Sequence, residues 1–359
     1  MTVFLTGFPG FLGSALVERL LGRGRDVTCL VQPKYRTQAE ERAAELAGDD
    51  WRESLTLYDG DITDSSLSLD AETRRTLQRE ATDVFHLAAV YDLGVDREVG
   101  MAVNVRGTKH VLAFAEGCPN LQRFQYVSTC YVSGRHDGVF TESDLHVGQS
   151  FNNAYEETKY LAEVAVQRAM AEGLPTTIYR PAIVVGDSET GATQKYDGPY
   201  SLVRLLSRQP RVAVVPLGRG AERCELNVVP RNYVVDAIDH LSGLDRSANR
   251  VYQLCDPAPL SVPAFVRCLA AAMDRRAVTV PVGGSAGKRL LDVVPQAANA
   301  LRVDPETLDY LTHPTRYVDG NARRDLAGTD IACPPIAAYA PQLVEYVRAH
   351  PEISSDAMV

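Results

Sequence analysis

The chain is 359 residues long, and several common features are missing from it. Its seven cysteines contain no C-x-x-C pair, so neither a zinc site nor a disulfide framework is indicated, and buried, reduced thiols are expected. No apolar run approaches the ~20 residues that span a bilayer. No basic stripe occurs and the net charge is −9, which argues against nucleic acid as a partner. Of 37 lysines and arginines only five are lysine. A β-branched, apolar run begins at Thr2 and leaves no room for a leader peptide, so a cytoplasmic location is expected. There is no internal repeat and no low-complexity tract. Hydrophobic content of 45% and charged content of 23% suit an ordinary globular protein, with length for one large α/β domain and an appended part, or for two domains.

What is present starts with a glycine turn, Thr6-Gly7-Phe8-Pro9-Gly10-Phe11-Leu12-Gly13. Thr2–Leu5 before it reads as a buried strand, and Leu12, Leu16 and Leu20 after it recur at helical spacing. In a strand–turn–helix unit Gly7 permits the sharp turn, Gly10 lets backbone N–H groups approach a phosphate, and Gly13 lets the helix lie close to the strand. The helix N-terminus then offers unpaired donors to a pyrophosphate.

Asp26–Val31 reads as a second strand. It ends in Gln32-Pro33-Lys34-Tyr35-Arg36, with no carboxylate for a ribose 2′-hydroxyl and two cations suited to a 2′-phosphate. That favours NADP(H) over NAD(H), unless the stretch is a solvated basic loop. A third strand, Leu55–Tyr58, runs into Asp61 and Ile62, where a carboxylate could meet an adenine amino group or cap a turn. The fourth, from Val84, runs into Leu87-Ala88-Ala89, whose small side chains leave space for a cofactor or for close packing. A helix over 98–117 carries Asn104, Gly107 and Thr108. A fifth strand ends in Ser128 and Thr129, which alternation points to opposite faces.

Tyr155 and Lys159 lie four apart at the start of the next predicted helix, which puts them on one face. A phenol titrates near pH 10, too high for acid–base work at neutral pH, and a neighbouring ammonium is expected to lower that value. Tyr155 would then exchange a proton with a carbonyl oxygen while a hydride moves at carbon. Thr129 would hold the same oxygen, and Lys159 would also bind the nicotinamide ribose.

With these motifs the chain resembles the extended short-chain dehydrogenase/reductases: T-G-x-x-G-x-x-G at Thr6–Gly13, Asp61-Ile62, Leu87-Ala88-Ala89, Asn104-Val105-x-Gly107-Thr108 and Y-x-x-x-K at Tyr155–Lys159. The resemblance implies Thr129 rather than Ser128 as the catalytic hydroxyl, five positions before Gly134. It also implies that Tyr179-Arg180-Pro181 lies against the nicotinamide, with Pro181 and Ile183 in the cofactor site. Val127-Ser128-Thr129-x-Tyr131-Val132 and Asn227-Val228-Val229-Pro230-x-x-Tyr233-Val234-Val235-Asp236 are similar to the fatty acyl-CoA reductase and thioester reductase branch. That branch commonly places an arginine after the second strand. Here Gln32 stands there, so Lys34 or Arg36 would replace it.

The expected fold is α/β, a doubly wound parallel sheet of the Rossmann type. Residues 1–186 form the dinucleotide domain, to which 226–255 return, while 187–225 and 256–359 form a smaller, discontinuous substrate region. Asn227–Val229 and Val251–Leu254 are both read as rejoining the main sheet. Residues 187–225 either wall a substrate cleft or form a surface insertion. Apolar stretches at 280–284 and 293–295 either line an acyl pocket or pack as core, and the tail from Pro351 is expected to fray. The expected activity is NADP(H)-dependent reduction of a carbonyl or acyl-thioester carbonyl, without metal. Alternatives are a hydroxysteroid-type dehydrogenase, a sugar-nucleotide epimerase or dehydratase, and a non-catalytic NADP(H) sensor. The resemblance further implies a homodimer through the helices at 98–117 and 153–171.

Overall fold

Seven parallel strands make the central sheet: β1 (Thr2–Thr6), β2 (Asp26–Val31), β3 (Leu55–Asp59), β4 (Ala81–His86), β5 (Arg123–Val127), β6 (Thr176–Pro181) and β7 (Arg250–Leu254). The computed structural model describes residues 2–282 and 310–354; the 293–295 stretch and part of 280–284 lie outside them. The strand order is β7-β6-β5-β4-β1-β2-β3. Chain direction across the sheet reverses at β1 and β4, which opens a crevice beyond their carboxyl ends.

Both faces are covered. Alternation along β1 sends Val3 and Leu5 into a core with α1 (Phe11–Gly22), α2 (Arg36–Ala47) and α7 (Arg231–Ser242), and sends Phe4 to the other face. That second core is built with α3 (Ala71–Glu80), α4 (Thr108–Glu116) and α5 (Ala154–Ala171). Buried strands of this kind read as continuous apolar runs because each face meets helices.

The helix expected over 98–117 is interrupted. Met101–Gly107 is wound as a π-helix between Arg97–Gly100 and α4. Close approach accompanies the widening, since a Cβ on Gly107 would stand 2.8 Å from Ile62 Cδ1. A second correction concerns Val228–Pro230. It pairs with Ile183–Val185 in a separate two-stranded sheet, and of the two stretches only β7 joins the main one. Pro230 has no N–H to donate and leads directly into α7, so the strand cannot extend.

A third cluster of buried side chains joins α6 (Pro199–Ser207), α8 (Val262–Ala272) and α9 (Ile336–Ala349) to Val212–Gly218, which pairs in parallel with Arg276–Val282. Among the described residues no helix is long and apolar enough to cross a membrane.

Candidate active site

The glycine turn sits at the reversal point of the sheet. Gly7 has φ +103°, and a Cβ there would lie 2.8 Å from the Ala88 nitrogen, two residues past the end of β4. A Cβ on Gly13 would lie 2.2 Å from the Gly7 carbonyl oxygen. Gly10 occupies the N-cap of α1, and no side chain caps it. The result is a backbone cradle beside a helix N-terminus, which fits the pyrophosphate of a dinucleotide.

Tyr155 is held by the way α5 begins. Asn153 caps the helix, its side chain accepting from the Glu156 N–H at 3.0 Å. The buried Glu156 carboxylate reaches back to the Asn152 N–H at 2.8 Å, a variant of the capping box. These bonds set the first turn and carry Tyr155 into a cavity of about 320 Å³.

That cavity brings most of the expected residues together. Gly7, Gly10, Phe11, Leu12, Gly13, Leu87, Ala88, Ala89, Thr129, Tyr155, Lys159, Pro181 and Ile183 all line it. Lys34, Arg36, Asp61 and Ile62 do not line it. Arg36 is tied to Glu40 at 2.9 Å and to Asp59 at 3.1 Å. Asp61 accepts from Thr63 N–H and hydroxyl, both at 2.8 Å, and from Gln32 at 3.2 Å, so it organises its own turn. Ile62 is buried beneath Gly107. Of the Tyr179-Arg180-Pro181 stretch, Pro181 reaches the cavity. Arg180 is wholly buried in an ion pair with Glu163 at 2.6 Å, and Tyr179 donates to Gln125 at 2.8 Å.

The two strand-end hydroxyls separate as alternation requires. Ser128 donates to Glu163 at 2.5 Å, while Thr129 meets the Tyr155 phenol. The expectation that Lys159 lowers the Tyr155 pKa is not met. Burial drives the phenol up, the Thr129 hydrogen bond opposes this, and the charges of Glu156 and Asp197 add to the rise. The lysine amine is engaged elsewhere, donating to the Val127 carbonyl at 2.9 Å and the Tyr126 hydroxyl at 3.2 Å. Burial draws Lys159 down to about 8, with Glu163 opposing. The phenol therefore stays protonated at neutral pH and is a weaker acid than a free tyrosine.

Some of the site was invisible to spacing. The Tyr91 and Tyr155 rings meet edge-on at 5.0 Å. Lys195 pairs with Asp197 at 3.2 Å and donates to the Tyr91 carbonyl at 3.3 Å, and all three line the cavity. Tyr310, which also lines it, stacks edge-on with Tyr131 at 4.7 Å. The scarcity of lysine was the one available hint of Lys195. Asn104 has a clear structural task. It accepts from Val90 N–H at 2.9 Å and donates to Thr158 at 3.0 Å, joining the loop after β4 to the residue before Lys159.

Residues 5–238 match the family model described as male sterility protein. The chain belongs to that family. This male sterility-type chain is an extended short-chain dehydrogenase/reductase of the fatty acyl-CoA reductase and thioester reductase branch. It is 27% identical over 281 residues to the fatty acyl-CoA reductase wat of Drosophila melanogaster, covering 66% of this chain and 53% of that protein. It is 27% identical over 274 residues to a linear gramicidin synthase polypeptide of Brevibacillus parabrevis, covering 70% of this chain and 5% of that one. The chain thus spans about half or less of these relatives. The terminal R domain from the myxalamid PKS-NRPS biosynthetic pathway superposes with a TM-score of 0.81 at 25% identity, covering 98% of this chain and 92% of that domain.

Proposed function

We propose that the chain reduces an acyl thioester, or the corresponding aldehyde, with NADPH as the hydride source. One observation carries the reading. A single cavity runs from the glycine cradle past Thr129 and Tyr155 to a wall that includes Leu93, Leu202, Leu226 and Leu311. An apolar wall of this kind suits an acyl chain. The fatty acyl-CoA reductase and R-domain relatives support the same substrate class.

The residues divide the work. A bound reduced nicotinamide supplies the hydride. Thr129 donates a hydrogen bond to the carbonyl oxygen as negative charge gathers there. Tyr155 gives that oxygen its phenolic proton, and with a thioester the resulting hemithioacetal collapses to aldehyde and free thiol. Lys159, one helical turn from the phenol, binds the ribose. Gly7, Gly10 and Gly13 hold the pyrophosphate, while Leu87–Ala89, Pro181 and Ile183 border the cofactor. Lys34 and Arg36, in the stretch after β2 that carries no carboxylate up to Arg36, take the place of the branch's arginine toward a 2′-phosphate and hence NADP(H), and Asp61 and Ile62 border the adenine. The region built from 187–225 and the C-terminal third forms the substrate wall. A cytoplasmic homodimer completes the reading.

The test is nicotinamide oxidation with NADPH and NADH in parallel, against long-chain acyl-CoA and the matching aldehyde. Turnover of acyl-CoA with NADPH is expected. Turnover of aldehyde alone would overturn the thioester claim, and equal rates with NADH would overturn the 2′-phosphate claim.

A further inference from the structure

Lys159 ends among acceptors whose orientation is dictated by a chain of buried side chains. Its Nζ donates to the Tyr126 hydroxyl at 3.2 Å. That hydroxyl meets Thr108, whose own Oγ1 donates to the Asn104 carbonyl at 2.6 Å. Thr108 Oγ1 also lies 2.9 Å from His86 Nε2, and His86 Nδ1 lies 2.7 Å from Thr6 Oγ1. Thr6 in turn accepts from the Ala88 N–H at 3.3 Å, beside the glycine turn. None of Thr6, His86, Asn104, Thr108, Tyr126 and Lys159 is more than 4% exposed.

Proton counting fixes the direction of every bond. A threonine hydroxyl carries one proton. Thr108 gives its proton to Asn104, so it can only accept from its other neighbours. Tyr126 must therefore donate to Thr108, and His86 must donate through Nε2–H while Nδ1 accepts from Thr6. Burial supports this neutral imidazole, pushing His86 down to about 3. The Tyr126 proton points away from the lysine, and its oxygen lone pair is what the amine meets.

We propose that Tyr126 is a positioning residue for Lys159, an acceptor whose proton Thr108 fixes so that it holds the ammonium at the end of β5. The Val127 carbonyl is the second acceptor, and a third N–H is left for the Tyr155 side of the cavity. The titratable groups facing Lys159 are Glu163 and Tyr155 on its own helix, Tyr126 on β5 and His86 on β4. Glu163 favours the ammonium but is shared with Arg180, and His86 is neutral. Tyr126 is thus, with the Val127 carbonyl, a neutral acceptor that offsets burial. The catalytic use of Lys159 rests on the reductase reading above, whereas the bond network does not.

The experiment is a lysine side-chain NMR titration of the intact chain, practical because there are only five lysines and Lys159→Met assigns the signal. Tyr126→Phe keeps the ring, which lies 4.8 Å from Nζ, and removes only the oxygen. In the unsubstituted protein Lys159 is expected to titrate near 8. In Tyr126→Phe it should fall by about one further pH unit, the worth of a hydrogen bond to a charged group. Thr108→Val, which frees the Tyr126 proton without touching the lysine, should shift it the same way by less, and serves if the phenylalanine variant does not fold. An unchanged Lys159 titration in the folded variants would overturn the proposal. The alkaline limb of kcat/KM, measured on the same proteins, should move to lower pH with the lysine. A shifted lysine with an unmoved limb upholds the proposal and removes Lys159 from the catalytic reading.

Discussion

Ser128 donates its hydroxyl proton to the Glu163 carboxylate at 2.5 Å, and this commits it to the buried ion pair with Arg180. Thr129, one residue on, is left as the hydroxyl beside the Tyr155 phenol. Adjacent hydroxyls of similar chemistry therefore have separate surroundings, one bound into a buried ion pair and one beside the Tyr155 phenol.

Substitution distinguishes them. Thr129→Val should lower kcat by roughly 10²–10³, the usual cost of one oxyanion donor, with the melting temperature little changed. Ser128→Ala should leave the chemistry largely intact and cost about 1–3 kcal/mol of stability by stripping a buried carboxylate of a donor. Steady-state rates and urea unfolding on both proteins separate the effects, and an inactive but stable Ser128→Ala would reverse the assignment.

Under the proposed reading, Tyr155→Phe should bind NADPH with unchanged affinity and lose about 10²–10⁴ in kcat, because it removes the proton donor. Calorimetric binding alongside single-turnover hydride transfer reads both quantities. Retained turnover would sink the role given to Tyr155.

The Arg180–Glu163 pair is fully buried, with further bonds from Arg180 to the Asp144 carbonyl at 2.8 Å and to the Thr141 carbonyl at 3.3 Å. Removing one charge strands the other, so Glu163→Gln should cost roughly 3–5 kcal/mol. Unfolding midpoints in urea check this, and a loss under about 1 kcal/mol would show that the pair is not what braces β6 against α5.

Arg36 is held by Glu40 and Asp59 at the start of α2, just past the end of β2. Under the NADP(H) reading, Arg36→Ala should reduce the preference for NADPH over NADH by about 10–100-fold, the worth of a charge-assisted bond. Glu40→Gln, which releases the guanidinium, should raise it. The ratio of kcat/KM values for the two cofactors is the readout, and no change in either variant would point to Lys34 or to another site.

The elements legible in the sequence are those whose cause is local. The strand–glycine–helix unit at 2–22 follows from a β-branched run, three glycines and a helical leucine spacing within about twenty residues. Tyr155 and Lys159 share a face because helical geometry places i and i+4 together, whatever surrounds them. What tertiary structure decided depends on residues far apart in the chain. Lys159 points at Val127 and Tyr126 across 32 and 33 residues, Asn104 grips Thr158 across 54, and Arg36 meets Asp59 across 23. Local pattern carries no term for such contacts. It could therefore show that a phenol and an amine stand side by side, but not that burial raises the phenol and that a β-strand takes the amine.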